Sequence, residues 1–131
     1  MTSYWDTSAL IQAAILPKLR FRLRQERAVC RNHSLAEAFS AFTAGNLAIR
    51  VDADEASAII EDLAADLELI DLDKSEVLTA LKAARAKGVR GGRIHDYLHA
   101  VAAEKAGAEK LLTVDRNDFN DLTTLSIEQL D

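Results

Sequence analysis

Two strand-length apolar segments, each ending on an aspartate, bracket this 131-residue chain: Ser3-Tyr4-Trp5-Asp6 near the start and Leu111-Leu112-Thr113-Val114-Asp115 near the end. Between them, apolar residues recur at helical spacing, broken by short strand-like runs. Thr2–Asp6 and Lys110–Val114 are read as buried strands. Thr7–Leu16 is Ala-rich and helical in character, closed by Pro17. Lys18–Arg24 is two-sided: its cations alternate with Leu19, Phe21 and Leu23 at the strand period, whereas its composition and surroundings favour helix. Ala28–Arg31 is read as a short strand and Leu35–Thr43 as a helix. Asp54–Leu67 places Ala56, Ile59, Ile60, Leu63 and Leu67 on one helical face. Leu69–Leu72 is read as a strand. Asp73 and Glu76 predict a capping box for a helix with Val77, Leu81 and Ala84 inward and Gly88 at its stop. The Gly91-Gly92 turn precedes a helix over Ile94–Ala106, and Leu122–Ile127 is read as an edge strand. Strands separated by helices predict an α/β fold, one domain over residues 1–131. Its mostly parallel sheet of about five short strands is covered by helices on both faces.

Composition narrows the class further. Apolar residues make up 49% and charged residues 28%, with 5 Gly and 1 Pro, which excludes disordered and collagen-like chains. No apolar run reaches the roughly 18 residues that span a bilayer, and the N-terminus lacks a basic stretch followed by an apolar one. The lone Cys30 excludes a disulfide framework and a cysteine-based zinc cluster. A cytoplasmic protein without membrane contact is the expectation. The net charge of −5 argues against binding nucleic acid through bulk charge. Local patches are another matter. Six of the 16 cations lie between Lys18 and Arg31 and five between Lys82 and Arg93, while ten of the 21 acids lie between Asp52 and Glu76.

In a parallel sheet, ligands bind beyond the carboxyl ends of the strands, where Asp6 and Asp115 fall. Glu37 interrupts the apolar Leu35-Ala36-Glu37-Ala38-Phe39, and Asp96 lies in the first turn of its helix. Each acid alone reads as a cap or a solvated charge. Brought together, they would repel one another unless a cation sat between them. Hard oxygen ligands of this kind suit Mg²⁺ or Mn²⁺ rather than zinc.

The four acids stand in segments that resemble the motifs of PIN-domain ribonucleases, in order and spacing. Tyr4-Trp5-Asp6-Thr7-Ser8 looks like the opening motif, Leu35-Ala36-Glu37 like the second, and Gly91-Gly92-Arg93-Ile94-His95-Asp96 like the third. Thr113-Val114-Asp115-Arg116-Asn117-Asp118-Phe119 is similar to the closing motif. The likeness spans residues 3 to about 125, and the length suits the VapC toxin branch. The resemblance implies a metal site of Asp6, Glu37 and Asp96 completed by Asp115, with Ser8 in support and Asp118 as competitor for the fourth role. It also implies Mg²⁺-dependent cleavage of RNA (Mn²⁺ being an alternative ion), a separate antitoxin chain as partner, and a homodimer. Arg93 and Arg116, next to two of the acids, are expected at the rim of an RNA cleft.

Other readings were weighed against this one. A non-catalytic binding or scaffold module on the same fold has no need of four repelling carboxylates. His95 and His99, spaced i, i+4, echo a zinc-hydrolase motif, but no third ligand follows, and packing or rim positions are expected for both. His33 and Cys30 have no partner spacing and read as structural. Lys74 could suggest a receiver-domain lysine, but the acids that reading needs are not convincingly placed. Gly91-Gly92 is a turn rather than a phosphate loop. The Lys18–Arg31 stripe is expected to meet either RNA or an acidic partner segment.

Overall fold

The computed structural model describes residues 1–45 and 50–131. Five strands form one sheet in the order β3-β2-β1-β4-β5: β1 (Thr2–Trp5), β2 (Arg27–Arg31), β3 (Glu68–Ile70), β4 (Lys110–Thr113) and β5 (Ser126–Gln129). Every pairing is parallel. The helices are α1 (Thr7–Ile15), α2 (Pro17–Gln25), α3 (His33–Thr43), α4 (Ala53–Ala64), α5 (Lys74–Ala83) and α6 (Arg93–Lys105). Among the described residues, no helix is long and apolar enough to cross a membrane.

Strand alternation divides the core. Tyr4, Val29 and Leu111 face α5 and α6, where Ala80, Tyr97, Leu98, Ala102 and Phe119 are buried with them. Trp5, Ala28, Cys30 and Leu112 face the other way, onto Leu10 of α1, Leu23 of α2 and Leu63 of α4. Buried on both faces, the central strands carry the near-continuous apolar runs that parallel sheets require. A smaller cluster of Ile11, Phe42, Ala56 and Ile60 ties α3 and α4 to α1. The chain winds from β1 out to β3, then crosses to the opposite side for β4 and β5. The reversal of strand order therefore falls between β1 and β4, and the crevice opens beyond their carboxyl ends.

Four expectations need correction. Lys18–Arg24 lies in a helix, with Pro17 at its first position rather than as a plain stop. At helical spacing, Leu19 and Leu23 turn toward the core while Phe21 stays outside, 62% exposed. Leu81 is exposed; the buried face of α5 runs through Ala80 instead. The strand expected at 69–72 is Glu68–Ile70, with Leu72 buried beyond its end. The last strand is Ser126–Gln129 rather than Leu122–Ile127, because Asn120–Leu122 turns on a Leu122 N–H to Phe119 carbonyl bond of 3.1 Å and Leu122 packs into the core. The Asp73/Glu76 capping box is present, with both of its bonds at 2.9 Å. Gly88 closes the Ala84–Lys87 turn at φ +68, a left-handed conformation that glycine adopts without strain.

Four of the six cations of the basic stripe are spent on ion pairs inside the fold. Arg20 reaches Asp62 at 3.0 Å and Asp66 at 2.8 Å, and Arg24 meets the same Asp66 at 2.8 Å. Arg22 pairs with Glu26 and with Glu128 of β5, while Arg27 pairs with Glu68. Arginines alternating in sequence thus become, on a helix, clamps that bind α2 to α4 and to the edge strand β5, while Arg27 of β2 clamps the edge strand β3. Glu128, shared by Arg22 and by Lys110 at 3.0 Å, is held down to about 2 by the Arg22 hydrogen bond first, against the cost of its burial.

Candidate active site

Asp6 follows β1 directly and caps α1. Its Oδ1 accepts from the Ala9 N–H at 2.9 Å and from the Ser8 hydroxyl at 2.7 Å, so the buried carboxylate is fixed from below. Ser8 Oγ also accepts from the Val114 N–H at 3.0 Å, which stitches the start of α1 to the end of β4 across the crevice. Asp96 sits in the first turn of α6, half-buried. Asp115 caps the 3-10 turn Arg116–Phe119, its Oδ1 accepting from the Asn117 N–H at 3.0 Å, and Asp118 lies within that turn. Buried Phe119 anchors the turn in the core. Glu37 projects from α3, half-buried, with its Oε1 3.6 Å from His99 Nε2.

Electrostatics groups these acids. Burial first, then the charges of Asp118 and Asp6, push the Asp96 carboxyl up to about 6, against the pull of His99 and Arg93. Asp118 is raised by burial, then by Asp115 and Asp6, with Arg93 opposing. Glu37 is lowered, chiefly by its hydrogen-bonding interaction with His99. Asp96 is thus raised by Asp118 and Asp6, and Asp118 by Asp115 and Asp6, while Asp115 spends its own carboxylate on a cap. Arg93 is the cation at this group, and its guanidinium donates to the Asn120 carbonyl. Arg116 is exposed; its backbone N–H donates to Gln129 Oε1 at 3.1 Å.

The donor set suits a divalent cation in chemistry more than in preformed geometry. Among the described residues, no three His, Cys, Asp or Glu side chains lie close enough to hold an ion together. Mg²⁺ does not need such a cage, because it usually keeps several waters and takes one or two carboxylates. The repulsion within Asp6, Asp96 and Asp118 is what a cation would relieve. The buried Thr7 hydroxyl, among the groups that favour ionised Glu37, has no regular hydrogen-bond partner. A hydrated cation would fit these features. Zinc on the histidines does not: His95 is exposed, and both ring nitrogens of buried His99 face protein groups, Tyr4 and Glu37.

The raised Asp96 carboxyl predicts an unusual acid response in metal-free protein. Between its ordinary 3.8 and about 6, the folded chain holds this proton more tightly than the unfolded one. Stability from this group therefore rises as pH falls from 7 toward 5. Glu37 and Glu128, both held low, act in the opposite sense and take over below about pH 4.5. Thermal melts at pH 7.5, 6.5 and 5.5 should show wild type gaining on Asp96→Asn with each step. Parallel curves for the two proteins would contradict the assignment.

Sequence reasoning expected Asp6, Asp96 and Glu37 at the crevice and His99 in a packing or rim position, which its burial against Tyr4 bears out. It missed the placing of His99 between Tyr4 and Glu37. The available signal was a histidine within the apolar run Tyr97-Leu98-His99-Ala100, three residues after an acid.

The comparisons with known proteins agree with the fold. The family model of the PIN domain matches residues 4–125. This chain belongs to the PIN domain family. A search among curated proteins finds no significant match. Among solved structures, the PIN chain described here superposes on one from VapBC2 of Rickettsia felis, bound to a DNA fragment from its promoter, with a TM-score of 0.73 and 18% identity, covering 100% of both chains. PAE2754 of Pyrobaculum aerophilum gives 0.68 and 22% identity over 97% of this chain and 88% of that one. VapBC-1 of nontypeable Haemophilus influenzae gives 0.67 and 18% identity over 98% of each. At such identities the likeness is one of fold, and the five-stranded parallel sheet flanked by helices is the PIN-like architecture.

Proposed function

We propose that this chain is a Mg²⁺-dependent endoribonuclease, the toxin of a VapBC-type pair. The observation that carries the reading is that Asp6 and Asp118 both raise the Asp96 carboxyl at the strand-order reversal, in a member of the PIN domain family. Asp6, Glu37, Asp96 and one of Asp115 and Asp118 would hold the cation, with Mn²⁺ as a possible substitute. When bound, the ion supplies charge for the scissile phosphate and for the departing oxygen.

The chain's own residues do the rest. Ser8 and the Ala9 amide hold the Asp6 carboxylate oriented. Asp96 would orient the attacking water beside the ion that it helps to hold. Arg93 offers positive charge beside the acids for a phosphate of the RNA strand. Arg116, farther out, is the second rim cation. The internal ion pairs of Arg20, Arg22, Arg24 and Arg27 weigh against the α2 stripe as an RNA track. Whole-length likeness to chains of two VapBC assemblies supports a cognate antitoxin as partner. Leu78 and Leu81, exposed on one side of α5, support a homodimer. A soluble cytoplasmic setting goes with this reading. The scaffold alternative gives no account of the clustered acids.

Cleavage of single-stranded RNA in Mg²⁺, with and without chelator, tests the activity; cleavage that persists in chelator refutes the metal requirement. Binding tests the rim. In an Asp96→Asn background, Arg93→Gln should reduce the log–log salt slope of RNA affinity by about 0.7, one phosphate contact. Arg85→Gln, an exposed charge in the Ala84–Lys87 turn, should leave it unchanged. Equal slopes for Arg93→Gln and its parent would remove Arg93 from the RNA path.

A further inference from the structure

His99 is a buried ionisable side chain that the acidic cleft does not by itself require. α6 turns it inward until 4% of it is exposed. Its Nδ1 lies 2.7 Å from the Tyr4 hydroxyl of β1, and the two rings meet edge to face at 5.8 Å. Its Nε2 lies 3.6 Å from Glu37 Oε1 on α3. One ring thus links the central strand, the helix of Asp96 and the helix of Glu37. An apolar side chain would fill this place without the desolvation that an imidazole suffers.

A carboxylate only accepts, so Nε2 is the ring's donor side toward Glu37. Tyr4, whose phenol burial keeps protonated, holds the ring from the other side at Nδ1. We propose that His99, locked by Tyr4, is a positioning residue that holds the Glu37 carboxylate toward the cleft and thereby raises its affinity for a divalent cation. The proposal rests on the metal-nuclease reading above. A glutamate on a helix face loses rotamer freedom when it binds an ion, and a partner that restricts it beforehand removes part of that cost. Outer partners of this kind typically change metal affinity by about 10–100-fold.

The test is Mn²⁺ binding to the full chain, followed by electron paramagnetic resonance and paired with circular dichroism of the metal-free protein. His99→Leu should weaken binding at least about 10-fold with the metal-free spectrum unchanged. His99→Gln, whose amide N–H can still reach Glu37, should recover much of the loss, and Tyr4→Phe should fall between wild type and His99→Leu. In a Glu37→Gln background, His99→Leu should add nothing. Wild-type affinity in His99→Leu overturns the proposal, and so does an undiminished loss in the Glu37→Gln background. Should His99→Leu fail to fold, Tyr4→Phe decides: unchanged Mn²⁺ affinity overturns the proposal. If Glu37→Gln leaves Mn²⁺ binding intact, Glu37 does not hold the ion and the role of His99 falls; if wild type itself binds no Mn²⁺, the metal reading fails as well.

Discussion

Asp96→Asn is expected to reduce RNA cleavage by more than about 100-fold, beyond the usual effect of losing an outer partner, while leaving the fold intact. The residue combines two demands: it would sit near the cation, and it is the acid most strongly pushed toward protonation by burial and by Asp118 and Asp6. Replacing it with the neutral amide removes a repelling charge and keeps the shape. The metal-free variant should therefore melt at or above the wild-type temperature at pH 7.5, as happens where like charges cluster for function. Divalent cation should divide the two proteins. At about 100 times its dissociation constant, an ion stabilises the protein that binds it by about 2.7 kcal/mol. For a chain of this size that is on the order of 10 °C in melting temperature. Wild type should show such a shift with Mg²⁺ or Mn²⁺, and Asp96→Asn should lose most of it. Equal shifts would place the ion elsewhere. A metal-free melt that falls by many degrees would make Asp96 a structural acid.

Leu63→Ala should do the reverse. Leu63 of α4 is 1% exposed and packs with Trp5, Leu10, Leu23, Cys30 and Leu112 on the face of the sheet away from α6. Truncation leaves a cavity that close-packed neighbours fill only in part, at a cost of about 2–5 kcal/mol. Against a total of about 5–15 kcal/mol for a typical domain, that is a large fraction. Urea unfolding should show a lower midpoint with the slope unchanged, and cleavage at 20 °C should persist, since no acid of the cleft belongs to this cluster. A loss below about 1 kcal/mol would mean that the α4 face is packed more loosely than its burial indicates.

What the residues disclosed by themselves depended on how local the deciding interaction was. Asp6 and Asp96 were legible because each breaks an apolar stretch at an element boundary. The Asp73 capping box was legible because all its partners lie within four residues. Segment 18–24 was ambiguous because its two periods compete. Only Asp62 and Asp66, some forty positions away, tip it to helix by meeting Arg20 and Arg24 on one face. Leu81 was assigned inward from spacing that fits a face a fraction of a turn away, and the small Ala80 carried no comparable signal. The placing of His99 was missed because of distance: its partners Tyr4 and Glu37 stand 95 and 62 positions earlier.

The acids of the crevice come from four separate stretches of the chain, one near its first residues and another near its last. No fragment contains them together. On a ribosome, the first aspartate emerges long before Asp118, and the central strand must wait for β4 before its own crevice has a second wall. A half-made copy therefore lacks the assembled crevice, and a single cut between Glu37 and Asp96 can disconnect what folding had joined. On the nuclease reading, activity is withheld until the stretch carrying Asp118 has been made and β4 has paired with β1.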